Sequence, residues 1–245
     1  MKILVVGEIC EDVFIYGESK RLSPEAPVPV FTPIRTSTND GMAGNVVQNL
    51  SALNHNIVVN GYHQLKPIKK TRFVDDKTNH MFLRVDDGDT ADVLYMAESF
   101  LIEISQSDAV IISDYDKGFL SENHILTICH RSKFTVLDSK KRLSDSVFEA
   151  VDFVKLNEKE FQSNLIDERY LSKVIITRGI DGTDYMGKNY PSSNPVNTMD
   201  VSGAGDTFTA AFTLKYLETN DTELSITFAN RMARQVVSKR GVATP

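Results

Sequence analysis

Short apolar runs alternate with amphipathic stretches along this chain. Residues 3–6, 57–59, 109–112, 134–137, 153–156 and 174–177 form brief runs rich in β-branched residues, the pattern of strands covered on both faces. Between them, 43–53, 92–105, 122–130, 158–165 and 204–217 carry apolar residues at three- and four-residue spacing, which predicts helices. This alternation predicts an α/β fold, a doubly wound and mainly parallel sheet with helices on both faces. Ligands of such sheets bind at the carboxyl ends of the strands. Two pairs of strand-like segments, 11–16 with 28–34 and 68–73 with 80–85, have no helix between them and predict a small antiparallel β flap. The expected organisation is one domain over residues 1–245, with lid segments at about 11–35 and 68–86.

Composition narrows the classes. The chain has 245 residues, 41% of them hydrophobic and 24% charged, which argues against disorder, collagen and coiled coil. Its 27 basic and 33 acidic residues leave a net charge of −6, which gives no overall attraction for nucleic acid. The apolar run at 3–6 is too short for a signal peptide or a membrane span. Cys10 and Cys129 are the only cysteines, too few for a disulfide framework and without zinc spacing. A cytoplasmic protein with no membrane partner is the expectation.

The strongest chemical signal is DVSGAGDTFTAAF at 200–212. Gly203, Ala204 and Gly205 precede a helical pattern, so their amides can hold an anion at the helix N-terminus. A carboxylate beside an anion cradle, Asp206, makes chemical sense as a base taking a proton from a hydroxyl that attacks the anion. A plain capped turn, with Asp206 favouring the helix dipole, fits the spacing equally well. Asn157 and Glu160 lie three apart at a helix start, where they could ligate magnesium or its waters or simply form a capping box. Arg178 could pair with phosphate beside Gly179. Taken alone it reads as a solvated loop arginine.

These motifs, in this order, resemble the ribokinase-like (PfkB) carbohydrate kinases. The resemblance implies that Asp206 is the catalytic base and that Gly203, Ala204 and Gly205 are the anion hole. It implies that Asn157 and Glu160 arrange Mg2+ and the ATP phosphates, that Thr177, Arg178, Gly179 and Gly182 form the nucleotide loop, and that Asn230 lies beside the adenine. Gly7, Glu8 and Asp12 resemble the family's GDxxxD opening, and the stretch from Gly41 to Asn45 its GGAAN turn, which implies sugar contacts for Asp12, Gly41 and Asn45. RLSPEAPVPV at 21–30, SDYDKG at 113–118 and DSK at 138–140 resemble the D-glycero-β-D-manno-heptose 7-phosphate kinase subgroup. The implied reaction is ATP-dependent phosphorylation of the anomeric hydroxyl of a heptose 7-phosphate. Two alternatives stay open: a kinase of another sugar or nucleoside, and an inactive sugar- or nucleotide-binding relative.

A phosphorylated sugar needs cations. Arg21, Arg72, Arg84, Lys117 and Lys140 are candidates from the flap and the strand-end loops, with Arg21 and Lys140 favoured because they fall inside subgroup-like motifs. Arg21, Pro24 and Pro27 also spell a polyproline ligand, but between predicted strands they read better as a stiff connection. The five histidines show no ligand spacing. The chain departs from the family pattern at Glu8, Met42 and Ser139, and Met42 is expected to narrow the sugar pocket. Only about ten residues, 60–69, bridge the strand at 57–59 and the flap, where the resembling kinases place a further helix–strand unit. No Walker sequence and no HxGH is present, which leaves no sign of a P-loop or of an attached nucleotidyltransferase. The exposed edges of the flap invite a homodimer.

Overall fold

The computed structural model describes residues 1–192, 201–239 and 243–245. In chain order the elements are β1 (Lys2–Gly7), β2 (Ile9–Leu22), β3 (Pro29–Met42), α1 (Ala43–Leu53), β4 (Val58–Tyr62), β5 (Ile68–Asp75), β6 (Met81–Asp87), α2 (Glu98–Gln106), β7 (Ala109–Asp114), α3 (Glu122–Arg131), β8 (Thr135–Ser139), α4 (Asp145–Ala150), β9 (Phe153–Asn157), α5 (Glu158–Ser163), β10 (Val174–Thr177), β11 (Thr183–Tyr185), β12 (Lys188–Tyr190), α6 (Ala204–Thr219) and α7 (Thr222–Val237). One sheet runs β12-β11-β10-β9-β8-β7-β1-β4. It is parallel from β10 to β4 and closes with the antiparallel β11 and β12.

Alternation along each strand divides the core between two faces. Leu4, Val6, Val110, Ile112, Leu137 and Val154 pack with α2, α3 and α4 through residues such as Phe100, Ile125 and Phe148. Ile3, Val5 and Ile111 turn to the other face, against Val46 and Leu50 of α1 and Ala210 and Leu214 of α6. Val136, Phe153 and Ile175 meet Phe208 and Phe212 of α6 and Ile226 of α7 there. Helix α6 is buried continuously from Asp206 to Leu214, so it lies inside the molecule and not on it.

The flap is a four-stranded sheet ordered β3-β2-β5-β6. Its two hairpins are antiparallel, but β2 joins β5 in parallel, because β5 arrives from the edge strand β4 instead of returning from a hairpin. The proline segment is the β2–β3 turn, closed by Ser23 N donating to Val28 O at 2.9 Å. Between β4 and β5 the chain makes only a short loop, fastened by Gln64, whose amide accepts from Ile9 N at 3.0 Å and donates to Ile9 O at 2.7 Å. Helix α2 begins at Glu98, later than the pattern from 92 predicts. Before it, Ala91 and Leu94 donate their amides to Lys117 O and Phe119 O, which holds that stretch extended. The short α4 and the β11–β12 hairpin carry too few residues to show periodicity. No described helix is long and apolar enough to cross a membrane. Cys10 and Cys129 are free and buried.

Candidate active site

The carboxyl ends of β1, β7, β8 and β9 converge beneath the N-terminus of α6, where β1 has chain-distant neighbours on both sides. Gly203 caps α6 in the left-handed conformation; Ala204 N donates to Val201 O at 3.4 Å, and the following first-turn amides have no intrahelical acceptors. Asp206, in this first turn, is 4% exposed. Its Oδ2 accepts from Asn45 Nδ2 at 2.9 Å and its Oδ1 from the Tyr115 hydroxyl at 2.7 Å. Burial pushes its pKa up to about 6; the Asn45 bond opposes this, Asp138 adds to it, and Tyr115 and Lys155 oppose it. Asp206 therefore remains ionised at neutral pH and is better matched to proton transfer than an ordinary aspartate. Asp200, which opens the motif in sequence, lies outside the described residues.

Tyr115 stands where it does because Glu8 holds its loop. The wholly buried Glu8 carboxylate accepts from the amides of Tyr115 (2.8 Å), Lys117 (3.0 Å) and Phe119 (3.3 Å). The longer side chain at this departure from the family pattern is thus a loop anchor. The tyrosine pKa lies well above its usual value, through burial and then the charge of Asp206, so the hydroxyl stays a donor.

A chain of charges lies beside Asp206. Lys155 Nζ is 2.6 Å from Asp138 Oδ2, and both side chains are buried. Lys140 Nζ is 2.6 Å from Glu160 Oε1 and 3.6 Å from Asp138 Oδ1. Burial works against the Lys140 charge, but Asp138 and Glu160 outweigh it and hold its pKa above the ordinary value. Burial alone would raise Asp138, yet Lys155 and Lys140 keep it below the usual carboxylate range. The sequence reading gave no role to Tyr115, Asp138 or Lys155; the available signal was a lysine inside the apolar strand FVKLN.

A cavity of about 860 Å3 opens over α6, lined by Lys140, Lys155, Asn157, Thr177, Gly179 and Gly182 among others. Gly203, Ala204, Gly205, Asp206 and Asn230 line it too. Asn230 is fixed by Thr183 Oγ1, which donates to its Oδ1 at 2.7 Å, and by its own Nδ2 donating to Tyr190 O at 2.9 Å. Arg178 is not brought to this cavity. Its guanidinium lies 2.5 Å from Asp184 Oδ2 and also pairs with Glu158.

A second cavity of about 170 Å3 meets the first at Asp206, Gly203 and Tyr115, and is otherwise lined by Cys10, Asp12, Gly41, Met42, Lys70, Arg72 and Ser202. Asp12 pairs with Arg72. A Cβ on Gly41 would come within 2.2 Å of Asp12 Oδ2, so no side chain fits there. Met42 has φ 58 and ψ −133, backbone that favours glycine, and its buried side chain packs with Cys10 and Ile68 along the cavity wall. Burial, with Asp12 beside it, pushes the Cys10 thiol up to about 12, so it is not a nucleophile. Of the other expected sugar contacts, Asn45 donates to Asp206, Lys140 lines the larger cavity, and Arg21 is exposed near the β2–β3 turn.

Asn157 and Glu160 form a reciprocal capping box, with Glu160 N donating to Asn157 Oδ1 at 2.9 Å and Asn157 N to Glu160 Oε2 at 2.7 Å. Both oxygens of Glu160 thus have partners. Among the described residues no cluster of three or more His, Cys, Asp or Glu could hold a metal. Such a donor set does not cage a bare ion, but it fits a hydrated magnesium carried by phosphates.

The profile described as pfkB family carbohydrate kinase matches residues 53–245. The bifunctional protein HldE of Helicobacter pylori strain J99 is 30% identical over 296 residues, covering 99% of this chain and 64% of HldE. HldE of Bradyrhizobium diazoefficiens is 27% identical over 297 residues, covering 98% and 60%. The chain therefore spans less than two thirds of these relatives. Among solved structures, ribokinase from Thermotoga maritima superposes with a TM-score of 0.71 at 17% identity, covering 98% of this chain and 94% of its own. Phosphofructokinase-2 from Escherichia coli gives 0.71 at 14%, covering 98% and 93%. A ribokinase fold, a buried carboxylate at the N-terminus of α6 and the match over residues 53–245 lead to one conclusion: this chain belongs to the pfkB family of carbohydrate kinases, phosphotransferases with a hydroxyl acceptor.

Proposed function

We propose that the protein transfers the γ-phosphoryl group of ATP to the anomeric hydroxyl of D-glycero-D-manno-heptose 7-phosphate, giving the 1,7-bisphosphate. The observation that carries this reading is the position of Asp206, a buried carboxylate with its pKa at about 6, at the junction of a large and a small cavity. ATP occupies the larger cavity, with its phosphates toward Gly203, Ala204 and Gly205 and its base near Asn230. The sugar occupies the smaller one, against Asp12 and Gly41. Asp206 takes the proton of the attacking hydroxyl while Asn45 and Tyr115 hold its orientation. The α6 amides, with Lys140 and Lys155, face the charge of the transferring group. Magnesium supplies neutralisation of the phosphates when bound, and Asn157 and Glu160 would hold it through water.

The likeness to HldE supports the heptose reading. Residues 1–245 act as one kinase unit with the four-stranded sheet as its lid, in the cytoplasm. Exposed Ile34, Met81, Leu83 and Val85 on that sheet support pairing of two copies. The test is ATP-dependent product formation across heptose, hexose and pentose phosphates and the free sugars. Turnover confined to a free sugar or a nucleoside would replace the heptose reading, and ATP hydrolysis that no sugar stimulates would remove it.

A further inference from the structure

Strand β5 puts two cations on one face. Its burial alternates, so Ile68, Lys70, Arg72 and Val74 face inward while Lys69 is exposed. Arg72 is neutralised by Asp12 and lies over the Phe14 ring with its Cζ 4.9 Å from the centroid. Lys70 differs. It is 9% exposed and lines the smaller cavity, yet among the described residues no carboxylate lies within ion-pair distance of its Nζ.

The register shows why Lys70 has no counterion. Its partner across β2 is Asp12 and its partner across β6 is Asp86. Asp12 is taken by Arg72, and Asp86 receives Nε and Nη2 of Arg84, each at 2.7 Å. Lys70 is left with the Tyr115 ring, 5.8 Å from Nζ to centroid. Of the other candidate cations, Lys117 is paired with Asp89 and Lys140 with Glu160, and Arg21 is exposed and does not line the smaller cavity. A buried ammonium without a counterion is unfavourable in the empty protein, and a ligand that brings the missing charge relieves this.

We infer that Lys70 is a specificity-determining residue of the smaller cavity, receiving a phosphoryl group on the acceptor. This rests on the kinase reading and deepens it, since it makes the acceptor a phosphorylated sugar. A phosphoryl dianion suits this site because the compact point charge of a lysine ammonium can meet its oxygens directly.

The test uses the full 245-residue chain and calorimetric titration of inorganic phosphate in the presence of a saturating non-hydrolysable ATP analogue. Lys70→Met is expected to weaken phosphate binding at least tenfold, Lys70→Arg to retain most of it, and Lys69→Met, on the opposite face, to change nothing. Unaltered affinity in Lys70→Met overturns the assignment, as does D-gluconate binding in place of phosphate. In the empty protein Lys70→Met should melt no lower than wild type; a large fall in melting temperature would show that the ammonium is compensated, and would also overturn it. Lys70-dependent phosphate binding by a chain that phosphorylates no sugar would refute only the kinase reading. Turnover of an uncharged sugar that Lys70→Met leaves untouched would refute only the role of Lys70.

Discussion

At the scale of single residues, the site depends on how Asp206 is held. Burial favours its protonated form, whereas the donors on its two oxygens favour the carboxylate. With the pKa at about 6 the carboxylate is lost as pH falls through that value, so under the proposed base role kcat/KM should drop on the acid side with a midpoint near 6. Tyr115→Phe removes a donor that lowers this pKa. The acid limb of the profile should therefore move to higher pH, by less than the roughly 2 units that separate the native and ordinary values. A limb that stays in place or moves down would refute the tyrosine's influence on the base. The GAGD stretch singles out Asp206, although a capped turn fits its spacing equally well, and it says nothing of the two side chains that hold the carboxylate. The resemblance implies a sugar contact for Asn45 and no role for Tyr115, because which side chain reaches a buried carboxylate depends on packing between segments far apart in the chain.

At the scale of elements, the apolar period found helices α1 and α6 and the five inner parallel strands with little error, since burial on one or both faces dictates those patterns directly. It did not reveal the parallel seam between β2 and β5, because alternation along a strand is the same whichever direction its neighbour runs. The Asn157–Glu160 pair shows the limit most clearly: the capping reading and the metal reading use the same spacing, and the capping box is formed. Asn157→Ala should therefore lower stability by about 1 kcal/mol, as N-cap removals do, measured as a shift in urea midpoint with an unchanged slope. Gly182 closes the turn between β10 and β11 at φ 89, and a Cβ there would come 2.2 Å from Tyr190 O. Gly182→Ala should cost roughly 1–3 kcal/mol and, by moving the wall that Tyr190 and Asn230 share, raise KM for ATP more than it lowers kcat. A variant with wild-type stability and KM would contradict that reading.

At the scale of the molecule, the trimmed sheet edge sets this chain apart from the pattern it resembles. Where the resembling kinases are expected to carry a further unit, β4 passes to β5 through a short loop that Gln64 fastens to β1–β2, and β4 is the last strand of the sheet. The alignment to Helicobacter HldE runs over 296 residues against 245 here, as expected for a shortened relative. The smaller cavity is accordingly built from β2, β3 and β5 with the loops at α6 and β7, and as the proposed acceptor site it would owe its selectivity to few residues, Lys70 and Met42 among them. The proposed pairing of two copies predicts a dimer in sedimentation velocity, shifted toward monomer by Leu83→Asp. A monomer at all concentrations would remove it.

The central claim is that Asp206 activates the anomeric hydroxyl of a phosphorylated sugar toward ATP. Its most direct test is 31P NMR of wild type and Asp206→Asn incubated with ATP, magnesium and D-glycero-D-manno-heptose 7-phosphate. A second phosphate should appear on the anomeric carbon with wild type, and its rate of formation should fall roughly 10²–10⁴-fold in the variant while ATP binding is retained. An Asp206→Asn variant that keeps most of the wild-type rate, or a wild-type protein that forms no anomeric phosphate, would contradict the account.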